Sequence, residues 1–146
     1  MADTPENVWT RRFLELAEHI SAWSKDPSSK IGAVITDPCR RIVSTGYNGF
    51  PRGVADSADR LTDREMKYMM VLHAEENAIL FSRQDLSGCS LYVTKMPPCS
   101  HCAALIAQSG IKRVYAPASE VPERWTASVE LAKTIFSESG VELTLV

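Results

Sequence analysis

The sequence predicts an α/β fold in which one mixed five-stranded sheet is covered by helices on both faces, in three layers. Three observations lead there: an opening helix with a single apolar stripe, two adjacent strand-like runs joined by a tight turn, and then a regular alternation of helical and strand-like segments. In the opening helix Trp9, Phe13, Leu16, Ala17, Ile20 and Trp23 fall at helical spacing, with Thr4-Pro5 suited to its start and Asp26-Pro27 to its end. Lys30 to Thr36, KIGAVIT, reads as a buried strand whose Gly32 and Ala33 let something approach its backbone closely. Asp37 to Arg40 forms a turn and Arg41 to Tyr47 returns as a second strand, giving a hairpin.

The three glycines and one proline of GYNGFPRG, residues 46–53, predict an irregular loop. Val54 to Met70 mixes Asp56, Asp59, Arg60, Asp63, Arg64, Glu65 and Lys67, the pattern of a solvated loop passing into a helical turn. A helix is expected from about Leu72 to Arg83, with His73, Asn77, Leu80 and Phe81 on one face, then a turn at Ser87-Gly88 and a strand from Leu91 to Lys95. Pro97-Pro98 stops that strand and presets the backbone for a helix beginning near Cys99, whose inner stripe carries Cys99, Cys102, Ala103, Ile106 and Gly110. Ile111 to Ala116 is a fourth strand. Trp125, Val129, Ala132 and Phe136 make a final amphipathic helix closed by Ser139-Gly140, and Val141 and Leu143 belong to a fifth strand.

Composition bounds the function. A chain of 146 residues, 45% hydrophobic, fits one domain over residues 1–146 with a core of ordinary size. A formal charge of -2 argues against broad electrostatic attraction to a nucleic-acid polymer or an anionic membrane, and favours a small substrate. The opening MADTPENVWTRRF lacks the basic start and apolar run of a signal peptide, and no apolar stretch is long enough to span a bilayer, so a cytoplasmic protein is expected. In that compartment four cysteines argue for metal binding or free thiols. Cys39 and Cys89 read as small apolar side chains at a turn and a strand start.

Cys99 and Cys102 have ligand spacing, and with His73 they make three protein donors. A structural zinc is normally closed by four protein ligands, whereas a catalytic zinc keeps three and leaves one position to water. Two thiolates and a neutral imidazole bring Zn²⁺ to net zero, so its water is acidified less than at three imidazoles and a proton carrier is needed. Glu75, two residues after His73, can carry that proton to a substrate atom. Both ligand segments also lie near predicted helix N-termini, whose free N–H groups stabilise thiolate charge. Either half of the motif alone is weak; together, H-x-E with P-C-x-x-C is the zinc-deaminase signature. The competing reading is a structural zinc closed by His101 or another cysteine, in a zinc-stabilised interaction module without catalysis.

The chain resembles the deoxycytidylate (dCMP) deaminases of the cytidine deaminase superfamily. The resemblance rests on KDPSSKIGAVI (residues 25–35), RIVSTGYNGFPRGV (41–54), HAEENAIL (73–80), GCSLYV (88–93) and PCSHCAALIAQSGIKRV (98–114). It implies the three-layer cytidine deaminase-like fold, zinc held by His73, Cys99 and Cys102, and Glu75 as the catalytic proton shuttle in converting dCMP to dUMP and ammonia. It implies that Asn48 contacts sugar and base, and that the backbone near Ala33 and Ala74 borders the pyrimidine. An asparagine in a left-handed turn before Gly49 would explain that residue type equally well. Ser24, Lys25 and Ser28 are the candidates for the 5′-phosphate, a cation with two hydroxyls suiting a dianion. Arg124 is a further candidate, in a PERW segment where the family pattern has a tyrosine or a basic residue on the phosphate. That departure keeps a second substrate class open: a nucleoside, free base, modified cytosine nucleotide or related amino-heterocycle. The resemblance also implies a homo-oligomer, commonly a hexamer, and in many members control by dCTP and dTTP, with Mg²⁺.

Overall fold

The structure, a computed structural model, describes residues 4–146; the first three residues of the opening segment lie outside the described residues. Thr4 caps the first helix by accepting a hydrogen bond from the Asn7 N–H (3.2 Å), and Pro5 takes the first helical position, where a missing N–H costs nothing. That helix, α1 (Pro5–Ser21), buries Phe13, Ala17 and Ile20. It ends before Asp26-Pro27 because the next residues are drawn away: the Ser24 hydroxyl donates to the Asn48 carbonyl (2.8 Å), and Trp23 is left 54% exposed.

β1 (Gly32–Thr36) is buried along its whole length and lies antiparallel to β2 (Ile42–Tyr47) on one side and β3 (Ser90–Val93) on the other. β4 (Arg113–Ala116) and β5 (Glu142–Leu145) continue in parallel, giving the order β2-β1-β3-β4-β5. Alternation divides the residues between two faces. Val34, Tyr92 and Tyr115 stand side by side in register and pack on Phe13 and Ala17 of α1. Ala33, Ile35, Leu91, Val93, Val114 and Ala116 face the opposite layer, made by α4 (Ala74–Ser82), α5 (Ser100–Ser109) and α6 (Glu123–Ser139). Each fully buried aliphatic side chain here contributes about 1.5–3 kcal/mol. The expected three-layer α/β/α architecture is the one observed.

The position of α4 is set by Gly46. A Cβ at that residue would collide with the Ala74 carbonyl and the Ala78 N–H, so only glycine lets α4 lie this close to β2. Gly32 plays the same part for α1, its missing Cβ facing the Ala17 carbonyl.

One expectation is corrected. The stretch from Val54 to Met70 contains two short helices, α2 (Ala58–Thr62) and α3 (Arg64–Met70), because Ser57 and Asp63 cap them through the Arg60 and Met66 N–H groups. Gly46 and Tyr47 belong to β2, the strand expected over Arg41 to Tyr47, and in the irregular stretch that follows Gly49 pairs with Leu72 in an isolated bridge. On α4 the buried residues are Ala74, Glu75 and Ala78, because the helix turns its small residues toward Gly46, and Leu80 and Phe81, on the face expected to carry His73 and Asn77, are 61% and 50% exposed.

Candidate active site

His73 and Cys99 are each the N-cap of a helix, with extended backbone before the first turn of α4 and α5. The His73 N–H donates to Glu76 Oε1 (3.0 Å), which closes the start of α4. Ser128 on α6 accepts from the Ser100 N–H (2.9 Å) and so steadies the start of α5. With the two N-termini fixed, His73 Nδ1 lies 3.2 Å from Cys102 Sγ and 3.5 Å from Cys99 Sγ, and the three donor atoms fall within 4.8 Å of one another.

These spacings fit zinc. Tetrahedral bonds of about 2.3 Å to sulfur and about 2.05 Å to nitrogen place N and S about 3.6 Å apart. The expected fourth candidate, His101, is outside the donor set: its side chain is 70% exposed and its Nε2 pairs with Glu76 (3.5 Å). Among the described residues the cluster therefore offers three protein donors.

The charges agree. Hydrogen bonding from Cys102, then from His73, brings the Cys99 thiol down to about 4 against the opposing effect of burial. The Cys99 bond also raises His73 to about 9. Cys102 is held up by its hydrogen bond with Cys99 and by burial, so the first thiolate blocks the second. A dication relieves both at once. Glu75, 5% exposed, is raised by burial, with the His73 charge pulling it partly back.

His73, Cys99 and Glu75 line one cleft. Of the other residues singled out in the sequence, Ser28, Asn48, Ala74 and Arg124 line it too. Asn48 is not in a left-handed turn; its Oδ1 accepts from the Ile31 N–H (2.8 Å) and its Nδ2 donates to the Ser29 carbonyl (2.8 Å), tying the 29–31 segment to β2. Ala33 is sealed between Gly46 and Val93 in the sheet and does not line the cleft. Ser24 is 2% exposed, its hydroxyl spent on Asn48, and Lys25 points away, 72% exposed and paired with Asp56 (3.0 Å).

The cleft also contains residues the sequence reading assigned elsewhere. Trp125, expected on the buried stripe of the last helix, sits in its first turn and meets the His73 ring edge-on at 6.1 Å, with Tyr68 against it at 5.8 Å. Asp26 and Lys67 are buried on the wall of the same cleft. The periodicity of α6 places Trp125 on the same stripe as Val129, Ala132 and Phe136, yet the stripe continues past the core to the cleft. Lys67 carries no local signal, since its partner is 41 residues away in the chain.

Residues 7–118 match the zinc-binding region of the cytidine and deoxycytidylate deaminases. An uncharacterized deaminase in the luxG 3′ region of Aliivibrio fischeri is 51% identical over 138 residues, 93% of this chain and 92% of that protein. Human deoxycytidylate deaminase is 37% identical over 139 residues, 91% of this chain and 76% of the human one. The crystal structure of the dCMP deaminase of cyanophage S-TIM5 in complex with dCMP and dUMP superposes with a TM-score of 0.73 at 27% identity, over 99% of this chain and 100% of the phage chain. No helix among the described residues is long and apolar enough to cross a membrane.

Proposed function

The chain belongs to the cytidine and deoxycytidylate deaminase family, and from that premise we propose a one-domain, zinc-dependent hydrolase that deaminates dCMP to dUMP. The observation that carries the reading is the His73–Cys99–Cys102 triad, whose His73 and Cys99 line a cleft that the buried acid Glu75 lines too.

His73, Cys99 and Cys102 would hold the metal, which when bound supplies a Lewis acid that makes water nucleophilic near neutral pH. Glu75 does the proton work. It takes a proton from the water that attacks C4 and delivers it to N3, then takes the proton of the new C4 hydroxyl and passes it to the 4-amino group. Ammonia leaves, C4 keeps the oxygen, and the product is dUMP. Burial raises the Glu75 carboxyl, which suits a group that must both accept and release a proton in one turnover. Asn48 keeps one N–H and one lone pair beyond its two internal bonds, enough to meet a hydroxyl and a carbonyl of the substrate. Ala74 borders the ring, and Trp125 stands edge-on to His73 on the cleft wall.

Arg124 and Trp125 line the cleft, and the departure of their PERW segment from the family pattern is what supports a second substrate class, a related amino-heterocycle or a 5-substituted cytosine nucleotide. The test incubates zinc-replete protein with dCMP, CMP, deoxycytidine, cytosine and 5-substituted dCMPs, following ultraviolet absorbance and ammonia. Turnover confined to the unphosphorylated compounds refutes dCMP as substrate. A homo-oligomer is part of the proposal, supported by the exposed Leu80 and Phe81 on α4, with a hexamer to be tested by light scattering. Control by dCTP and dTTP with Mg²⁺ is tested by adding each to the same assay.

A further inference from the structure

Trp125 stands in the first turn of α6, its N–H bonded to the Pro122 carbonyl (2.8 Å). Three residues on, Ser128 accepts from the Ser100 N–H beside Cys99, so this turn is fixed relative to the metal ligands. The half-buried indole meets two rings: His73, edge-on at 6.1 Å and 82°, and Tyr68, tilted at 5.8 Å and 60°. Both separations are those of attractive aromatic pairs. Among the described residues α3 packs its backbone against α2 and no other helix or strand, so the Tyr68–Trp125 contact is not a by-product of α3 lying on α6. With C4 of a cytosine at the metal and N3 at Glu75, the other neighbour of C4 is C5. The C5–C6 edge carries only C–H bonds, gains nothing from hydrogen-bonding groups and suits an apolar wall. The cleft's Asp26, Ser28, Ser29 and Asn48 are hydrogen-bonding groups, whereas the aromatic side chain that touches a metal ligand is Trp125.

We propose that Trp125 is the specificity-determining wall at C5 of the pyrimidine, and that Tyr68 is the positioning residue that keeps the indole from swinging aside. The assignment rests on the deaminase reading above. An indole held by two ring contacts leaves room for a C5 hydrogen and resists an added methyl, as a filled core resists an added methylene. Of the substrate classes above, it favours cytosines that carry only hydrogen at C5.

The test compares zinc-loaded wild type, Trp125→Ala, Tyr68→Ala and Tyr68→Phe by turnover of dCMP and 5-methyl-dCMP. Calorimetric titration with dUMP and dTMP, which differ only in the 5-methyl group, gives a readout independent of catalysis. Wild type is expected to prefer dCMP over 5-methyl-dCMP about 10- to 100-fold in kcat/KM, and dUMP over dTMP by a similar factor in Kd, the range that one methyl commands in a tight pocket. Trp125→Ala opens the wall and should bring both preferences below about threefold. Tyr68→Ala should reduce them part-way and Tyr68→Phe, which keeps the ring, should restore them; a general loss of stability moves both members of each pair together and leaves the preferences where they were. A wild type without either preference, or a Trp125→Ala variant that keeps them, overturns the proposal. Where Trp125→Ala does not fold, Trp125→Leu, which keeps an apolar side chain at this half-buried position, is read in its place. A wild type that binds dUMP in preference to dTMP but turns over no cytosine compound refutes the deaminase reading alone; one that binds neither nucleotide refutes both.

Discussion

Gly46→Ala tests the link between packing and chemistry. The added Cβ would lie 2.5 Å from Ala78 N and 3.1 Å from Ala78 Cα, and would press on the Ala74 carbonyl oxygen. Ordinary contacts between such atoms are about 3.5–4.0 Å, so α4 must lift from β2 by roughly 1 Å. All three neighbours are backbone, and none can rotate aside. Overpacking of this kind costs about 1–3 kcal/mol, and the reduced freedom of the unfolded chain returns about 0.4–1 kcal/mol. A net loss of about 1 kcal/mol lowers Tm by roughly 2–4 °C for a chain of this length. The same shift carries His73 and Glu75 with it. A metal site tolerates about 0.2 Å in its bond lengths, and a displacement of about 1 Å can cost on the order of 100-fold in rate. Thermal melts of apo and zinc-loaded protein, zinc competition with a chromophoric chelator, and dCMP turnover measure the three effects. Gly49→Ala is the control: no atom lies within 4 Å of its Cβ, and its φ is not positive. Its stability should stay within about 0.5 kcal/mol of wild type. If Gly46→Ala melts within about 1 °C of wild type and binds zinc equally well, the close approach of α4 does not set the site.

Glu75→Gln should stay folded and bind one zinc while losing about 100- to 10,000-fold in kcat, and activity within tenfold of wild type (about 1.4 kcal/mol) would remove Glu75 as the proton carrier. Stripping zinc with a chelator should abolish turnover and lower Tm, both returning on adding zinc; retained activity in metal-free protein sinks the mechanism. Burial raises the Asp26 carboxyl, but hydrogen bonds from the Ser28 and Ser29 N–H groups and from Lys67 outweigh it and hold it below 3.8. A depressed carboxyl contributes stability that is present above 3.8 and lost as pH falls through the lower folded value. Asp26→Asn should therefore cost about 1–3 kcal/mol in urea melts at neutral pH, a penalty that shrinks in strong acid. A penalty independent of pH would contradict the ionised hydrogen-bonded carboxylate.

Much of the fold was legible because its signals are local. The KIGAVIT run, the Asp37 to Arg40 turn and the Pro97-Pro98 stop each act within a few residues, and β1, β2 and the start of α5 fall where they indicate. The helices at Ala58–Thr62 and Arg64–Met70 carried cap signals at Ser57 and Asp63, but the dense mixed charge around them outweighed those signals in the reading. Which face of α4 packs on the sheet was hidden for a different reason. Hydrophobicity suggests which face of α4 is buried, yet the face that docks is the one whose small residues fit against Gly46.

The sequence by itself determined the metal chemistry: two cysteines three apart at a helix start, and a histidine and an acid two apart at another, fix donor type and number through local geometry alone. Only the tertiary structure decided what surrounds that centre. Asp26 meets Lys67 across 41 residues, Trp125 reaches His73 from the far end of the chain, and Lys25 turns outward to Asp56. Such contacts depend on where the layers of the sheet bring distant segments together, and no periodicity within either segment encodes that distance.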